Sequence, residues 1–444
     1  MQAPIADFVK NYSEGNKTRL HMPGHKGQSF LGCEKFDITE IKGADSLYEA
    51  KGIIAESERN AAELFSTKAT FYSTEGSSQC IRAMLYLALS REGTTSRTIL
   101  AARNVHKAFV YAAALLDFDV KWLFPETPTP SLCSCPISAE LLEKVLGSMQ
   151  TPPAAVYITS PDYLGNIADI KALSEVAHRY GTILLVDNAH GAYLHFLENS
   201  LHPMDLGADL CCDSAHKTLP VLTGGAYLHI GKNASQSITE NAREALSLFG
   251  STSPSYLTLV SLDLCNRYLD EGYRERLSGF MNDISDLKES LKQNGWEVCD
   301  SDPLKLTIKA PQGTSGTELL EKLSEKGIEC EYADPDYLVM MFTPENGIEC
   351  FKTFLSALGV NTAPQKELPP LPFTLPKCAI SIREAVMSKK TTVTISDSIG
   401  KICASPTVSC PPAIPIAVSG EVISRELAGI FTYYGINTVD IVKE

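Results

Sequence analysis

One lysine stands in a segment whose residue types suit covalent chemistry. Lys217 follows the apolar run Leu210-Cys211-Cys212, lies among polar residues, and is followed by Pro220 and the pair Gly224-Gly225. Because proline and glycine stop helix continuation, the pattern predicts a strand that ends in a tight loop. A loop lysine shielded from bulk water is suited to form an imine, whereas an exposed loop lysine would simply reach into solvent.

Two further groups fit the same chemistry. Asp187 ends the apolar run Ile183-Leu184-Leu185-Val186, and a carboxylate at a strand end can keep a heterocyclic nitrogen protonated. The segment Ser73–Ser78 lies between a predicted strand and a predicted helix, where free N–H groups bind phosphate, although an ordinary serine cap fits it equally well. A lysine, a strand-end carboxylate and a phosphate loop are the groups that a pyridoxal phosphate site requires.

The elements that must position these groups alternate between strands and helices. The periodicity predicts helices at about 54–65, 79–89, 106–115, 138–146 and 170–180, and strands at 69–72, 98–101, 120–123, 154–159, 182–186 and 208–212. This alternation predicts an α/β fold with a mainly parallel sheet covered on both faces. Ligands of such sheets collect at the carboxyl ends of the strands, which is where all three candidate groups fall.

The bulk properties limit the classes of function. The chain has 444 residues, a net charge of -14, 44% hydrophobic and 21% charged residues, which predicts a globular protein of two or three domains. The acidic balance argues against nucleic acid and is compatible with a cationic substrate. No apolar run reaches the length of a membrane span and no secretory signal pattern is present, so we expect no membrane association and a cytoplasmic location.

The cysteines point to reduced thiols. Thirteen cysteines are an odd number, and without an export signal a disulfide framework is not expected. Zinc-binding spacing is absent, so we expect no metal site. Cys211 and Cys212 are adjacent on a predicted strand and are interpreted as small buried hydrophobic residues.

The chain divides into four predicted parts. Residues 1–40 form an N-terminal arm, 41–255 the large pyridoxal phosphate-binding domain, 256–363 a small α+β domain that begins with a long helical region, and 364–444 a C-terminal domain behind a proline-rich linker. The change from strand and helix alternation to charged helical sequence marks the second boundary.

The motifs resemble those of the ornithine/lysine/arginine decarboxylase family, a group of fold-type I pyridoxal phosphate enzymes. The resemblance covers essentially the whole chain and is carried by His21–Gly27, Phe36–Ile41, Asn104–Lys107, Val186–Gly191, Ser214–Pro220, Ser251–Tyr256, Pro411–Pro415 and Gly420-Glu421. It implies an aspartate aminotransferase-like large domain with smaller α+β C-terminal domains.

The resemblance also implies a role for each matching residue. Lys217 would hold the cofactor, Asp187 would pair with the ring nitrogen, His106 would stack on the ring, and His190 is the cleft histidine of the family. The positions implied around the cofactor phosphate are Gly76, Ser77, Ser78, Ser214 and His216, with Thr252 or Ser253 supplied by a partner subunit. A homodimer with shared active sites is therefore implied, with the option of a larger homo-oligomer.

The implied reaction is pyridoxal phosphate-dependent decarboxylation of a basic L-amino acid in polyamine biosynthesis. Arginine giving agmatine is favoured over lysine giving cadaverine or ornithine giving putrescine, by analogy with short-form relatives that lack an N-terminal wing domain. His216 and Lys217 are the candidates for returning a proton to the alpha carbon. The carboxylates considered for the distal cation of the substrate are Asp45, Glu49, Glu75 and Asp162.

Some residues depart from the family pattern and leave alternatives open. Asn188 stands where glutamate is more usual, the loop 74–78 is unusual, and Ala413 and Ser419 replace commoner glycine and proline. One alternative is another fold-type I activity, either aldol or related lyase chemistry or transamination. An aminotransferase would need an arginine for the substrate carboxylate, and Arg383 is the first candidate and Arg425 the second. The other alternative is a catalytically impaired, cofactor-binding regulatory subunit.

Overall fold

The computed structural model describes residues 1–405, 407–408 and 415–443. Residues 411–414 of the C-terminal signature, with Ala413, therefore lie outside the described residues. The chain divides into two compact units. The first unit contains residues 1–95, 170–178 and 183–277, and the second contains residues 96–169, 179–182 and 278–444. The four-part division expected from the sequence stays a prediction.

The strands form one large sheet and three smaller ones. In chain order they are β1 (Ala69–Ser73), β2 (Thr98–Ala102), β3 (Asp119–Leu123), β4 (Ala155–Thr159), β5 (Ile183–Asp187), β6 (Leu210–Asp213), β7 (Ala226–Ile230), β8 (Glu297–Cys299), β9 (Lys305–Lys309), β10 (Tyr332–Ala333), β11 (Tyr337–Met341), β12 (Lys390–Thr394), β13 (Thr407–Val408), β14 (Pro415–Ala417) and β15 (Thr438–Val442). The large sheet has seven strands in the order β1-β7-β6-β5-β4-β2-β3. Strands β2 and β3, β2 and β4, and β5 and β6 pair in parallel, whereas β7 is antiparallel to β1 and β6.

The helices follow the strands in the predicted alternation. They are α1 (Pro4–Glu14), α2 (Ile53–Leu64), α3 (Ser77–Ser90), α4 (Lys107–Leu116), α5 (Ala139–Gly147), α6 (Ile170–Arg179), α7 (Ala215–Thr218), α8 (Gln236–Ser247), α9 (Tyr256–Asp270), α10 (Tyr273–Gln293), α11 (Gly316–Ser324), α12 (Glu349–Leu358), α13 (Ile382–Met387), α14 (Ile395–Ser398) and α15 (Arg425–Tyr433). None of those in the described part of the chain is long and apolar enough to cross a lipid bilayer. The predicted α/β fold with a mainly parallel sheet is confirmed.

The strands that carry the candidate residues are buried because their sequences are apolar on both faces. Every residue of β5, β6 and β7 is buried, as expected for central strands covered by helices. Polar residues within such strands must satisfy their hydrogen bonds internally. This requirement applies to Asp187, Asp213 and His229.

Several elements differ from the sequence-based expectation. The predicted arm begins with the helix α1, and β7, α8 and α12 were not predicted. The long helical region after residue 256 is two helices, because Gly272 between α9 and α10 adopts a φ of +74° that favours glycine and ends the first helix. The C-terminal helix begins at Arg425 rather than near Gly420, because Ser424 caps it through a hydrogen bond to the N–H of Leu427.

Candidate active site

Lys217 lies on a single helical turn directly after a buried strand. Strand β6 ends at Asp213, and the backbone N–H of Lys217 donates to the carbonyl of Ser214 at 2.9 Å. The predicted tight loop was therefore wrong in detail, because residues 215–218 complete the turn α7 before Pro220 prevents a second one. The strand end and the stop were predicted correctly.

The Lys217 side chain contacts a histidine that belongs to a tight turn. The Lys217 Nζ lies 3.0 Å from Nε2 of His190. That histidine is held by the turn 188–191, which closes through a hydrogen bond of 2.8 Å from the N–H of Gly191 to the carbonyl of Asn188. A Cβ at Gly191 would collide with Oδ1 of Asn188, so a larger residue there would have to displace the Asn188 amide. The backbone thus fixes His190 beside the lysine.

Asp187 lies at the carboxyl end of β5, as predicted. Its side chain is 2% exposed, and Oδ1 accepts hydrogen bonds from the N–H of Ala189 at 3.3 Å and from the thiol of Cys212 at 3.6 Å. Burial, together with the charge of Asp187, holds the pKa of the Cys212 thiol well above its usual range, so the thiol stays protonated and can donate. Cys212 therefore orients the Asp187 carboxylate from the neighbouring strand.

The loop after β1 forms an open cradle at the start of α3. Gly76 occupies the cap position with φ 71° and ψ 179°, and no side chain caps this helix. The Gly76 N–H donates to the carbonyl of Gly224 at 2.7 Å, which ties the cradle to the segment that follows Lys217. The Ser214 hydroxyl donates to the hydroxyl of Ser77 at 2.8 Å. An uncapped helix start with adjacent hydroxyls suits an anion.

His216 is held with one ring nitrogen fixed. Its Nδ1 lies 3.1 Å from the carbonyl of Gly225, so Nδ1 carries the proton and donates. Burial, with a smaller contribution from the charge of Lys217, lowers the pKa of His216 below its ordinary value of 6.5. The imidazole is then mostly neutral near pH 7. Neutral imidazole is a poorer proton donor, which weakens one of the two roles predicted for His216.

The structure shows the following for the other predicted cofactor residues. Ser78 follows Ser77 in the first turn of α3. His106 belongs to the second unit, where its Nδ1 accepts from the N–H of Ala108 at 3.1 Å and so caps α4. Thr252 and Ser253 are exposed in the first unit. Their roles stay predictions.

Two of the four carboxylates considered for the substrate cation already accept hydrogen bonds from nearby groups of the chain. Asp45 accepts from the N–H groups that begin α2, at 2.8 to 3.1 Å, and its pKa is lowered because these hydrogen bonds outweigh burial. Asp162 accepts three hydrogen bonds from its own loop, and burial raises its pKa to about 6. Glu49 and Glu75 are exposed. Glu75 accepts from the N–H of Ser251 through Oε1, which leaves Oε2 without a donor among the described residues.

The arginine proposed for an aminotransferase has a structural role. Arg383 Nη1 donates to the carbonyls of Ala114 and Leu115 at 2.8 and 3.3 Å, which are orphan carbonyls at the C-terminal end of α4. The Arg383 guanidinium therefore caps the C-terminal end of α4. The second candidate, Arg425, is exposed at the start of α15.

The sequence analysis missed a buried polar cluster in the same unit. Asp213 accepts from Asn188 Nδ2 at 2.8 Å, from His202 Nε2 at 2.9 Å and from His229 Nε2 at 3.2 Å. His202, Cys211 and Asp213 are close enough to offer ligands to a cation, but both Asp213 oxygens already accept hydrogen bonds and we assign no metal here. The available signal was Asp213 itself, a charge that ends a fully apolar strand.

These residues fit pyridoxal phosphate. The uncapped start of α3 with the Ser77 and Ser214 hydroxyls supplies donors for a phosphate, and Gly76 leaves the approach open because a Cβ there would meet no atom within 4 Å. Asp187 is a buried carboxylate at the end of β5, a type of group that pairs with a ring nitrogen, and Lys217 is a partly buried amine in the same unit. The donor set matches the phosphate, the basic nitrogen and the aldehyde of the cofactor.

Comparison with known proteins gives the family. The family model of the Orn/Lys/Arg decarboxylase major domain matches residues 3–300. The chain is 27% identical to an arginine decarboxylase of Bacillus subtilis over 96% of this chain and 92% of the relative. It is 22% identical to a lysine decarboxylase of Pseudomonas aeruginosa over 78% of this chain and 55% of the relative. The solved structure of lysine decarboxylase A from Pseudomonas aeruginosa matches with a TM-score of 0.83 at 17% identity, covering 99% of this chain and 80% of the other. The chain belongs to the Orn/Lys/Arg decarboxylase family.

Proposed function

We propose that this protein removes carbon dioxide from L-arginine, giving agmatine, with pyridoxal phosphate held at Lys217. The observation that carries the proposal is the grouping of Lys217, His190, Asp187 and the Ser77–Ser214 hydroxyl pair within one compact unit. Family membership supplies the reaction class, because the family consists of decarboxylases of basic amino acids.

The roles of the residues follow from their positions. Lys217 would hold the cofactor covalently, Asp187 would pair with the ring nitrogen, and the start of α3 with Ser77, Ser78 and Ser214 would bind the phosphate. Bound there, pyridoxal phosphate supplies an electron sink for the electrons that remain on the alpha carbon after carbon dioxide leaves. The ring-stacking role of His106 and the contribution of Thr252 or Ser253 from a partner subunit rest on the resemblance of their motifs.

Lys217 is the better candidate for returning a proton to the alpha carbon. Its Nζ would carry a proton to the alpha carbon, and His190, whose Nε2 lies 3.0 Å from that Nζ, would share the proton. His216 is mostly neutral near pH 7 because burial lowers its pKa. His216 is therefore assigned to positioning the segment at Gly225.

Arginine is favoured over lysine by the extent of the matches. The arginine decarboxylase relative matches along nearly its whole length, whereas the lysine decarboxylase relative is much longer than the region it shares with this chain. Glu75 is the carboxylate that we assign to the distal guanidinium, since Asp45 and Asp162 accept hydrogen bonds from their own backbones and Glu49, unlike Glu75, lies outside the loop that forms the cradle. Agmatine would then enter polyamine biosynthesis.

We further propose a cytoplasmic homodimer, with the option of a larger homo-oligomer. Four large apolar side chains of the N-terminal segment are 68% to 90% exposed, namely Leu20, Met22, Phe30 and Leu31. Contiguous exposed apolar side chains commonly mark an interface. A second copy of the chain is the partner that the implied sharing of active sites requires.

The test offers arginine, lysine and ornithine to the purified protein with pyridoxal phosphate while carbon dioxide and amine products are quantified. We expect carbon dioxide and agmatine in equal amounts from arginine, loss of both in Lys217→Ala, and retention in Lys232→Ala, which replaces an exposed lysine of the same unit. A keto acid product would instead support an aminotransferase. Cofactor binding without product from any of the three amino acids would support an impaired regulatory subunit.

A further inference from the structure

A continuous chain of buried hydrogen bonds crosses four adjacent strands beneath the candidate site. The chain joins Thr70 on β1 to Nδ1 of His229 on β7 at 2.8 Å, then His229 Nε2 to Asp213 on β6 at 3.2 Å, and finally Asp213 to Nδ2 of Asn188 after β5 at 2.8 Å. All four residues are at most 2% exposed. Two members adjoin groups assigned to the cofactor, because Asp213 precedes Ser214 and Asn188 follows Asp187.

The hydrogen bonds define where the charge is. The His202 Nδ1 accepts from the N–H of Met204 at 3.3 Å, so its Nε2 is the nitrogen that donates to Asp213. His229 also donates to Asp213 from Nε2, and burial lowers its pKa. Burial alone would raise the pKa of Asp213, but the two imidazoles hold it well below its usual range. Asp213 is therefore a buried carboxylate that Asn188, His202 and His229 stabilise as donors, with a longer contact of 3.5 Å from the thiol of Cys211.

Asn188 connects this carboxylate to the reactive lysine by two routes. In the first route, the Asn188 side chain donates to Asp213, which lies four residues before Lys217. In the second, the Asn188 backbone carbonyl accepts the hydrogen bond that closes the turn containing His190. Its backbone N–H also donates to the carbonyl of Cys212 at 3.0 Å. The orientation of the amide is fixed, because the opposite orientation would place two oxygens against each other.

We infer that Asn188 and Asp213 are a positioning pair whose hydrogen bond sets the contact between His190 and Lys217. Neither side chain needs to touch substrate or cofactor for this role. The pair also accounts for the departure at position 188. A glutamate at position 188 would place a second carboxylate against Asp213. Asparagine instead donates a hydrogen bond to Asp213, so the pair consists of one carboxylate and one donor.

The pair predicts that its two members can exchange roles. Asn188→Asp alone places two carboxylates together, and Asp213→Asn alone leaves an amide that cannot accept from all three donors. In the double variant Asn188→Asp/Asp213→Asn, the new amide at 213 donates to the new carboxylate at 188 and its oxygen accepts from the two imidazoles. Both partners are satisfied again.

The experiment uses the full-length holoprotein and measures the thermal midpoint and the pH midpoint of the visible cofactor absorbance. We expect Asn188→Ala to move the spectral midpoint by at least about half a pH unit, because a displaced neighbour changes the proton affinity at the lysine. The matched control is Asn266→Ala. Asn266 is equally buried in the same unit and donates to Tyr72 and to the Ser57 carbonyl, so its loss should lower stability and leave the spectrum unchanged.

The double variant Asn188→Asp/Asp213→Asn provides the second part of the experiment. Both midpoints of the double variant should lie closer to the wild type than those of either single variant, and a double variant that folds when the singles do not has the same meaning. Additive losses, an unfolded double variant, or an Asn188→Ala spectrum that matches Asn266→Ala would overturn the inference. The inference rests on Lys217 being the cofactor lysine, and that assignment fails separately if Lys217→Ala retains the cofactor absorbance.

Discussion

Gly76 offers a direct test of the phosphate cradle. Its φ of 71° and ψ of 179° lie in a region that is essentially restricted to glycine, so Gly76→Ala should cost about 1–3 kcal/mol in backbone strain. Space is not the obstacle, because a Cβ would meet nothing within 4 Å. If the cradle needs this conformation to bind phosphate, the cost appears as a loss of pyridoxal phosphate affinity of about 5- to 150-fold.

A matched glycine separates strain from binding. Gly347 has φ 69° and ψ 164° and also offers open space for a Cβ, but it lies in the second unit, at the end of a short turn. Titration of cofactor-free protein, followed by absorbance, should show weaker binding in Gly76→Ala and unchanged binding in Gly347→Ala, with similar losses in thermal midpoint. Wild-type affinity in Gly76→Ala, with a lowered thermal midpoint, would refute the assignment of the cradle.

Other predictions concern buried charges and the phosphate site. Glu421→Gln should destabilise the protein by about 3–5 kcal/mol, because it breaks a pair with Arg103 whose two hydrogen bonds are 2.7 and 2.8 Å long and whose side chains are 3% and 4% exposed. Glu349→Gln, which breaks an exposed pair, should stay within about 0.5 kcal/mol in the same thermal melt; equal shifts would contradict this account. The pKa of Asp213 in the folded protein lies below its ordinary value of 3.8. The stability that the ionised carboxylate contributes is therefore present above pH 3.8 and lost as the pH falls through the folded pKa. In acid denaturation, the free energy of unfolding of Asp213→Asn should consequently depend less on pH than that of the wild type. Ser214→Ala should reduce cofactor affinity about tenfold through loss of a charge-assisted hydrogen bond, and an unchanged dissociation constant would remove Ser214 from the phosphate site.

Local sequence was sufficient where a strand end places one residue. Asp187 and Lys217 were identified because apolar runs end directly before them or a few residues earlier, and the carboxyl ends of parallel strands meet at one edge. The glycine-containing loop before α3 was identified for the same reason. These features depend on neighbours in the chain.

Contacts between residues that are far apart in the sequence could not be predicted. The strand containing His229 follows a glycine pair and was not predicted, and its bond to Thr70 joins residues 159 positions apart. Arg383 was a reasonable candidate for a carboxylate clamp until the structure placed it on carbonyls 268 and 269 positions away. Asp162 similarly accepts hydrogen bonds from residues of its own loop. Periodicity carries no information about such partners.

The most direct test of the central claim is the identity of the lysine that holds the cofactor. The purified protein would be incubated with pyridoxal phosphate, reduced with borohydride, digested, and examined by peptide mass spectrometry. The account predicts one phosphopyridoxyl group, on the peptide that contains Lys217, and its disappearance when arginine is added in excess before reduction. A label on a different lysine, or arginine decarboxylation by Lys217→Ala at the wild-type rate, would contradict it.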